Sequence, residues 1–354
     1  MNGALPQTKF WRGKRVLVTG HTGFKGTWTC LWLRHLGAEV FGFAMPAAES
    51  SLFADCFPRD DPLAGHIGDL RNLSTVTAQI DQVRPDIIIH MAAQALVGRS
   101  ITDPIETYAT NVMGTVHLFE AIRRQASVRA AVNVTSDKCY HNNEWIWPYR
   151  EDDALGGKDP YSSSKACAEL VGEAFRRTYF RNGPFVASGR AGNVVGGGDW
   201  ATDRLVPDCI RAFQRAEAVM VRNPNSVRPW QHVLEPVAGY LILAERLWDH
   251  GETVTGSWNF GPDSTCAIQV SQVVDLLINR WGGKSRAVMA ETPESGEAVQ
   301  LQVDSSKARA LLGWRPRLTF DKTIDWTVEW YQRRAAGASA SVLCTEQVKA
   351  YEKL

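Results

Sequence analysis

Apolar runs of the kind found in buried strands alternate with segments of helical spacing through the first half of the chain. The strand patterns lie at 15–19, 39–44, 66–70, 86–90, 130–134 and 185–190. Such alternation is typical of βαβ units, in which helices cover both faces of a parallel sheet. The pattern therefore predicts an α/β protein built on a doubly wound parallel sheet.

Beyond residue 190 the pattern becomes less regular, with a loop at 192–200 and a helix that begins near Arg204. There is no repeat and no low-complexity linker, so we expect a smaller second domain interleaved with the first. The predicted boundaries are 10–194 plus about 229–258 for the sheet domain, and 195–228 and 259–340 for the smaller one. The last dozen residues lack clear periodicity and are predicted to be loosely docked.

The first strand runs into a turn with three glycines spaced three apart. Gly20 permits a tight turn, Gly23 lets a pyrophosphate approach the backbone without a Cβ clash, and Gly26 lets the next helix pack on the strand. An ordinary glycine-rich turn has the same letters, but the strand before it and the helical pattern over 27–36 favour a dinucleotide site. The turn residues predicted to bind the cofactor are Gly20, His21, Thr22, Gly23, Phe24, Lys25 and Gly26.

Further cofactor contacts are expected where later strands end. The second strand lacks the acidic residue that usually binds an NAD ribose, and no arginine stands there for a 2′-phosphate, so this position does not decide between NAD and NADP. An aspartate at the end of the 66–70 segment either accepts from the adenine amino group or caps the next helix. Small residues after the fourth strand either pass close to the dinucleotide or simply pack tightly. The predicted contacts near strand ends are Asp69, Leu70, Ala92, Ala93, Gln94 and Thr135. Asn111 lies inside a predicted helix over 104–122; it is either a surface residue or, near the functional edge of the sheet, ties two segments together, and it is also predicted to contact the cofactor.

Tyr161 and Lys165 are four residues apart at the start of a predicted helix over 160–179, so they share one helix face. A nearby ammonium favours the phenolate and lowers the pKa of a tyrosine, which would make Tyr161 a usable base. A surface tyrosine lying over a lysine stem is the alternative. The dinucleotide turn upstream favours the catalytic interpretation, and we expect Lys165 to lower the pKa of Tyr161.

A stretch with proline, arginine and aromatic residues follows the sixth strand. Cations next to an aromatic ring suit the phosphates and base of a nucleotide, whereas solvated arginines are the ordinary alternative. The substrate-binding residues that this stretch predicts are Arg222, Arg228, Trp230 and His232.

Composition narrows the possible partners. The chain of 354 residues is 44% hydrophobic and 22% charged, and its formal net charge of +1 gives no reason to expect nucleic acid or an anionic membrane surface. No apolar run is long enough to span a bilayer, and the N-terminus does not resemble a signal peptide. The seven cysteines are scattered without metal-ligand spacing, so we expect no metal and a cytoplasmic protein with reduced thiols.

Together these motifs resemble the extended short-chain dehydrogenase/reductase family over about 10–330. The resemblance rests on the glycine turn, on Tyr161-x-x-x-Lys165, and on the stretch from Asp304 to Trp314. Within the family, the segments 20–26, 135–140, 192–200 and 228–236 resemble the branch of nucleotide-sugar dehydratases that act on CDP-sugars. The resemblance implies a Rossmann domain that holds NAD tightly and a smaller domain that holds CDP-glucose. It also implies that Gln94, Ser136, Asn193, Arg204 and Leu205 contact the substrate.

The implied reaction is internal: C4 of the glucose is oxidised, water is lost across C5 and C6, and the hydride returns to C6. By resemblance, Tyr161 takes the C4 hydroxyl proton, Lys165 holds the cofactor ribose, and Ser136 orients the substrate. Many sugar dehydratases carry an Asp-Glu pair where this chain has Asp137-Lys138, a departure that matches the CDP-sugar branch. Asp137 is then the acid for the C6 hydroxyl, and Lys138 or a held water is the C5 base.

Two other functions remain open from sequence. A nucleotide-sugar 4-epimerase needs the tyrosine but no acid and base for elimination, and Asp137-Lys138 argues against it. A dinucleotide-sensing regulatory protein would not need Tyr161 and Lys165 at this spacing. Because relatives associate through the helices at 104–122 and 160–180, which carry apolar residues such as Val116 and Phe175 on their outer faces, a homodimer or homotetramer is predicted.

Overall fold

The computed structural model describes residues 3–263, 267–283, 285–290 and 300–354. Its centre is a six-stranded sheet in which every neighbouring pair is parallel, with strand order β10-β5-β4-β3-β1-β2. The strands are β1 (Arg15–Thr19), β2 (Glu39–Phe43), β3 (Ile87–His90), β4 (Ala130–Val134), β5 (Phe185–Arg190) and β10 (Gly256–Asn259). The predicted doubly wound α/β fold is confirmed.

Helices cover both faces of the sheet because successive strand residues point to opposite sides. In β1, for example, Val16 and Val18 belong to one core and Leu17 to the other. The helices before the second half of the chain are α1 (Thr8–Trp11), α2 (Phe24–His35), α3 (Leu52–Cys56), α4 (Leu73–Val83), α5 (Val97–Thr102), α6 (Pro104–Tyr108), α7 (Gly114–Arg124) and α8 (Pro160–Thr178). A π-helical turn, Ala109–Met113, joins α6 to α7 without a break, so the long helix predicted over 104–122 is confirmed with this turn inside it.

The remaining elements form the smaller part of the fold and the outer layer of one core. Short strands pair as β6 with β9, β7 with β12, and β8 with β11. The elements are β6 (Val194–Val195), α9 (Leu205–Gln214), β7 (Ala218–Val221), β8 (Val227–Pro229), β9 (Gln231–His232), α10 (Leu234–His250), β11 (Ala267–Gln269), α11 (Val270–Trp281), β12 (Arg286–Met289), α12 (Phe320–Ala335) and α13 (Ala340–Glu352). The predicted division into two domains stays a prediction.

Two sequence expectations are wrong. The predicted strand at 66–70 is reduced to a single bridge between Ile67 and Ala44. The C-terminal segment is not loosely docked, because it forms α13 and packs against α2. The indole Nε1 of Trp32 donates to Glu352 Oε1 at 2.8 Å, and the Tyr351 ring lies edge-on to Trp32 at 5.5 Å. Weak helical periodicity hid this helix from sequence analysis.

In the described part of the chain, no helix is long and apolar enough to cross a membrane. The six described cysteines, Cys30, Cys56, Cys139, Cys167, Cys209 and Cys344, are free thiols. Cys266 lies outside the described residues.

Candidate active site

The glycine turn lies where β1 and β3 end side by side, at the point where the strand order reverses. Gly20 has a φ of +72°, and a Cβ there would lie 2.7 Å from the backbone nitrogen of Ala92. A Cβ on Gly26 would lie 2.1 Å from the Gly20 carbonyl oxygen. Gly23 is exposed and is the N-cap of α2. The turn therefore has the tight backbone and the close helix–strand packing that the glycine spacing predicts, while the binding of a dinucleotide there stays a prediction.

Two side chains of the turn do not face that opening. The His21 ring is fully buried, with its Nε2 3.1 Å from the Leu63 carbonyl oxygen, and burial lowers its pKa to about 4. The Thr22 hydroxyl donates to the Met45 carbonyl oxygen at 3.0 Å. These two residues can therefore offer a dinucleotide their backbone more readily than their side chains.

The segment after β2 resolves the two interpretations of Asp69 only in part. Asn72, not Asp69, caps α4, since its side chain accepts from the first backbone N–H groups of that helix. Asp69 instead accepts hydrogen bonds from the backbone and guanidinium of Arg71. Leu70 is buried against Gly114. The adenine contact predicted for Asp69 stays a prediction.

Asn111 ties two segments together from within the π-helical turn. It is almost fully buried, accepts from the backbone N–H of Gln94 at 2.8 Å, and donates to the Gln94 carbonyl and the Ser164 hydroxyl at 2.9 Å. The Gln94 side chain hydrogen-bonds to Leu96 and Thr107. Gln94 was predicted to bind ligand, yet in this structure its amide is engaged within the protein.

Four polar residues follow β4 at the same edge of the sheet. The Thr135 hydroxyl donates to Glu169 Oε1 at 2.5 Å, so it points into the core. The Ser136 hydroxyl donates to Asp137 Oδ1 at 3.1 Å and accepts from the Lys138 backbone N–H. Asp137 begins a short 3₁₀ turn, and its side chain is buried. The structure therefore brings three predicted catalytic residues together.

Tyr161 and Lys165 lie on the first turns of α8, which Asp159 caps by accepting from the Ser162 N–H. Burial raises the pKa of Tyr161, while the nearby Ser136 hydroxyl acts to lower it. Lys165 donates to the Val134 carbonyl at 3.4 Å, and burial lowers its own pKa to about 8. The expected lowering of the Tyr161 pKa is wrong here, because burial outweighs the Ser136 hydroxyl and the charge of Arg204, which are the influences that lower it.

Burial raises the pKa of the Asp137 carboxyl, against the opposing charges of Lys138 and Arg228. This direction favours the protonated form, which an acid catalyst needs. Gly192 makes room for the carboxyl, since a Cβ there would lie 2.6 Å from Asp137 Oδ2. Gly192, in the 192–200 loop, therefore packs directly against the Asp137 carboxyl.

Sequence analysis did not predict Asp199, which forms an ion pair with the predicted substrate residue Arg204. Asp199 is buried, and its Oδ2 lies 3.1 Å from Nη1 of Arg204. Lys25 is close enough to Arg204, Asp137 and Asp199 for their charges to influence its pKa, which burial lowers to about 8. Lys25 was predicted as a cofactor residue of the glycine turn, and its charge also interacts with that of Asp137. No pattern in the sequence linked Lys25 to Asp137 or Asp199, which lie far from it along the chain.

The remaining predicted substrate residues are spread over the smaller part of the fold. Arg228 is buried, and its positive charge acts to lower the pKa of Asp137. Trp230 is also buried, and its indole donates to the Ile268 carbonyl at 3.2 Å. Arg222 lies at the surface, 3.7 Å from Asp203. Of these three residues, Arg228 is the one whose charge acts on the proposed catalytic residue Asp137.

His232 is packed in the core rather than aimed at the site. Its ring is fully buried and lies edge-on to Trp28 and Trp326 at 5.9 and 5.7 Å. The Asn193 carbonyl accepts from the Gln231 N–H, and Leu205 begins α9. Ligand contacts by His232, Asn193 and Leu205 stay predictions, and that of His232 would require the core to open.

The parallel sheet, the glycine turn and the Tyr161–Lys165 pair define an α/β protein of the short-chain dehydrogenase/reductase class. Residues 17–327 match the family model described as GDP-mannose 4,6 dehydratase. The chain belongs to this family.

Known relatives agree with this assignment. Over 348 residues the chain is 46% identical to a CDP-glucose 4,6-dehydratase of Salmonella typhimurium, covering 97% of each chain. Among solved structures, a UDP-glucose 4-epimerase of Thermotoga maritima has a TM-score of 0.78 at 22% identity, covering 90% of this chain and 99% of its own. A dTDP-glucose 4,6-dehydratase of Streptomyces venezuelae, solved with NAD and TYD bound, has a TM-score of 0.75 at 23% identity, covering 91% and 98%. At this identity the solved structures establish the fold.

Proposed function

We propose that the chain is a CDP-glucose 4,6-dehydratase, a hydro-lyase that converts CDP-glucose to CDP-4-keto-6-deoxyglucose. The observation that carries the proposal is the buried carboxyl of Asp137, which accepts from the Ser136 hydroxyl at 3.1 Å. An epimerase needs no such acid. The 46% identity to a CDP-glucose 4,6-dehydratase supports the same substrate.

The turn around Gly20 fits NAD as the resident cofactor. Its positive φ and the close approach of Ala92 leave a cradle that a Cβ would fill. The first N–H groups of α2 have no partner within the helix and suit a pyrophosphate. Bound NAD+ supplies a hydride acceptor for C4 and a donor for C6. Lys165, on α8, is proposed to hold the cofactor ribose.

Tyr161 is proposed to take the C4 hydroxyl proton. Its raised pKa means that the neutral phenol dominates before ligands bind, so the site must favour the phenolate during the reaction. The nearby Ser136 hydroxyl and the charge of Arg204 both act in that direction. Ser136 is therefore proposed both to orient the substrate hydroxyl and to stabilise the deprotonated tyrosine.

Asp137 is proposed to protonate the C6 hydroxyl as it leaves. The C5 proton becomes acidic only next to a C4 ketone, so elimination must follow oxidation. Burial keeps Asp137 protonated to higher pH than an exposed aspartate, as this step requires. The neighbouring Lys138, or a water it holds, is proposed as the C5 base.

The deciding experiment incubates the purified protein separately with CDP-, UDP-, GDP- and dTDP-glucose and follows the mass of each sugar nucleotide. We expect CDP-glucose to lose one water at a much higher rate than the others. Equal turnover of all four would refute the CDP assignment. A changed sugar of unchanged mass would instead indicate the 4-epimerase.

NAD is proposed to remain bound through each cycle, since the hydride is taken and returned. Denaturing the protein should therefore release NAD, and steady turnover should produce no net NADH. Release of NADP would contradict the cofactor assignment, which is open to that test because β2 ends at Phe43 without an acidic residue.

A homodimer or homotetramer in the cytoplasm is proposed for the assembly. Phe175 packs against Phe119 within the chain, with ring centroids 5.6 Å apart, so it contributes less to the outer face than expected. Other large apolar side chains on this side are exposed: Ile101, Ile105, Met113 and Leu170. Light scattering at micromolar concentration should show two or four chains, and a monomer would contradict the proposal.

A further inference from the structure

A buried ion pair lies directly behind the catalytic segment. Nε and Nη2 of Arg190, at the end of β5, each donate to one carboxylate oxygen of Glu169 on α8 at 3.0 Å. The two side chains are only 3% and 1% exposed. Glu169 also shares a helix face with Tyr161 and Lys165, because the three residues are spaced by four.

Every hydrogen-bonding position of the pair is used. The remaining donors of Arg190 go to the Tyr140 hydroxyl at 2.8 Å, the Glu151 carbonyl at 3.0 Å and the Ser257 hydroxyl at 2.9 Å. Glu169 additionally accepts from the hydroxyls of Thr135 and Ser257. All five N–H donors of the guanidinium and the four acceptor positions of the carboxylate are thus occupied. A fully satisfied buried network of this kind is rigid.

Hydrogen bonds from the network hold both ends of the segment 135–140, which contains the proposed catalytic residues. Thr135, the first residue after β4, donates its hydroxyl to Glu169. Tyr140, at the end of the 3₁₀ turn, accepts from Arg190 and donates to Asn259 Oδ1 at 2.7 Å. The Arg190 guanidinium also lies 4.8 Å from the centroid of the Tyr140 ring. Ser136, Asp137 and Lys138 occupy the span between these two anchors.

We infer that Glu169 and Arg190 are positioning residues, which fix the carboxyl of Asp137 for the elimination step by holding the segment 135–140 at its two ends. The inference rests on the proposed function, since it assigns the pair to one step of that reaction. Misplacing a catalytic group by about 1 Å can cost on the order of 10²-fold in rate. The pair touches neither sugar nor cofactor in this assignment; it acts through the two hydroxyl anchors.

The charges of the pair support a permanent clamp. Burial acts to raise the pKa of Glu169, but Arg190 and the hydroxyls of Thr135 and Ser257 together hold that pKa below its ordinary value. The carboxylate therefore stays ionised across the working pH range. Because unpairing either charge in the core would destabilise the whole fold, the decisive variants remove the anchors and leave the pair intact.

The test compares Thr135→Val and Tyr140→Phe with two matched controls. Thr135→Ser keeps the anchoring hydroxyl and should restore activity. Tyr351→Phe removes an equally buried hydroxyl that donates to Glu235 Oε2 at 2.6 Å, remote from the segment. For each anchor variant we expect kcat for dehydration to fall about 10- to 100-fold with KM changed less than about twofold. Reduced cofactor should accumulate transiently, since C4 oxidation by Tyr161 continues.

A second readout does not depend on the substrate. Amide hydrogen exchange over 135–140 should be faster in both anchor variants and unchanged in both controls. Normal exchange and normal kcat in Thr135→Val and Tyr140→Phe would overturn the inference, as would an equal loss of activity in Tyr351→Phe. If wild-type protein fails to dehydrate CDP-glucose, the proposed function fails, while the exchange measurement still decides whether the two anchors hold the segment.

Discussion

Replacing Asp137 by asparagine should separate the two halves of the reaction. Asparagine has the same shape, and its oxygen can still accept from the Ser136 hydroxyl, which lies 3.1 Å from Asp137 Oδ1. The side chain is 3% exposed, so the substitution also removes a group that burial already disfavours as an anion. We therefore expect the fold to be retained and only the proton donor to be lost.

The size of the effect follows from the role. General acid catalysis contributes about 10²- to 10⁴-fold, which is roughly 3–5 kcal/mol of barrier at 1.36 kcal/mol per tenfold. Oxidation at C4 depends on Tyr161 and should continue. With CDP-glucose, the Asp137→Asn enzyme should develop NADH absorbance that persists, or exchange the C5 proton with solvent deuterium without losing water.

Tyr161→Phe is the comparison variant, since it removes the base for the first step. It should give neither NADH absorbance nor C5 exchange. If Asp137→Asn is silent in both assays as well, Asp137 serves binding or the first step, and the reasoning from its raised pKa is refuted. In the wild type, dehydration should fall as pH rises through that pKa, because only the protonated carboxyl donates; the asparagine variant should lack this decline.

Three further substitutions have defined outcomes. Gly192→Ala places a Cβ 2.6 Å from Asp137 Oδ2, so dehydration should fall while substrate-dependent NADH formation persists. Gly20→Ala puts a side chain on a left-handed residue, at a cost of about 1–2 kcal/mol from the backbone alone, and blocks the turn, so the purified protein should release little or no NAD on denaturation. Burial raises the pKa of Glu245 from 4.5 to about 7, so its stabilisation is complete below about 4.5 and is lost as pH rises through 7. Denaturant unfolding should show Glu245→Gln gaining up to about 3 kcal/mol on wild type between those pH values, and a constant difference would contradict this.

Local patterns predicted the parts of the structure that local physics determines. The bounds of β1, β4 and β5 match the apolar runs, and the glycine turn has the backbone geometry that its spacing requires. Tyr161 and Lys165 share a helix face because four residues complete about one turn. These features depend on neighbours within a few positions, which a single sequence displays.

Contacts between distant segments were not predictable in the same way. The Glu169–Arg190 pair joins a helix to a strand end, although the four-residue spacing from Lys165 to Glu169 was a usable signal. Asp199 meets Arg204 in an irregular loop that carries no periodicity. The pKa of Tyr161 was misjudged because burial, which a sequence does not show, is the largest influence on it.

The docking of α13 on α2 has a consequence for how the protein is made. The Trp32–Glu352 hydrogen bond joins residues 320 positions apart. At about 5–20 residues per second, a ribosome needs roughly 15–60 s to synthesise that interval. Through nearly all of translation, the Trp32 indole on α2 therefore lacks its contacts with Tyr351 and Glu352. A nascent chain of this length should depend on chaperones during that interval, and loss of the last dozen residues should harm solubility in cells more than any surface substitution.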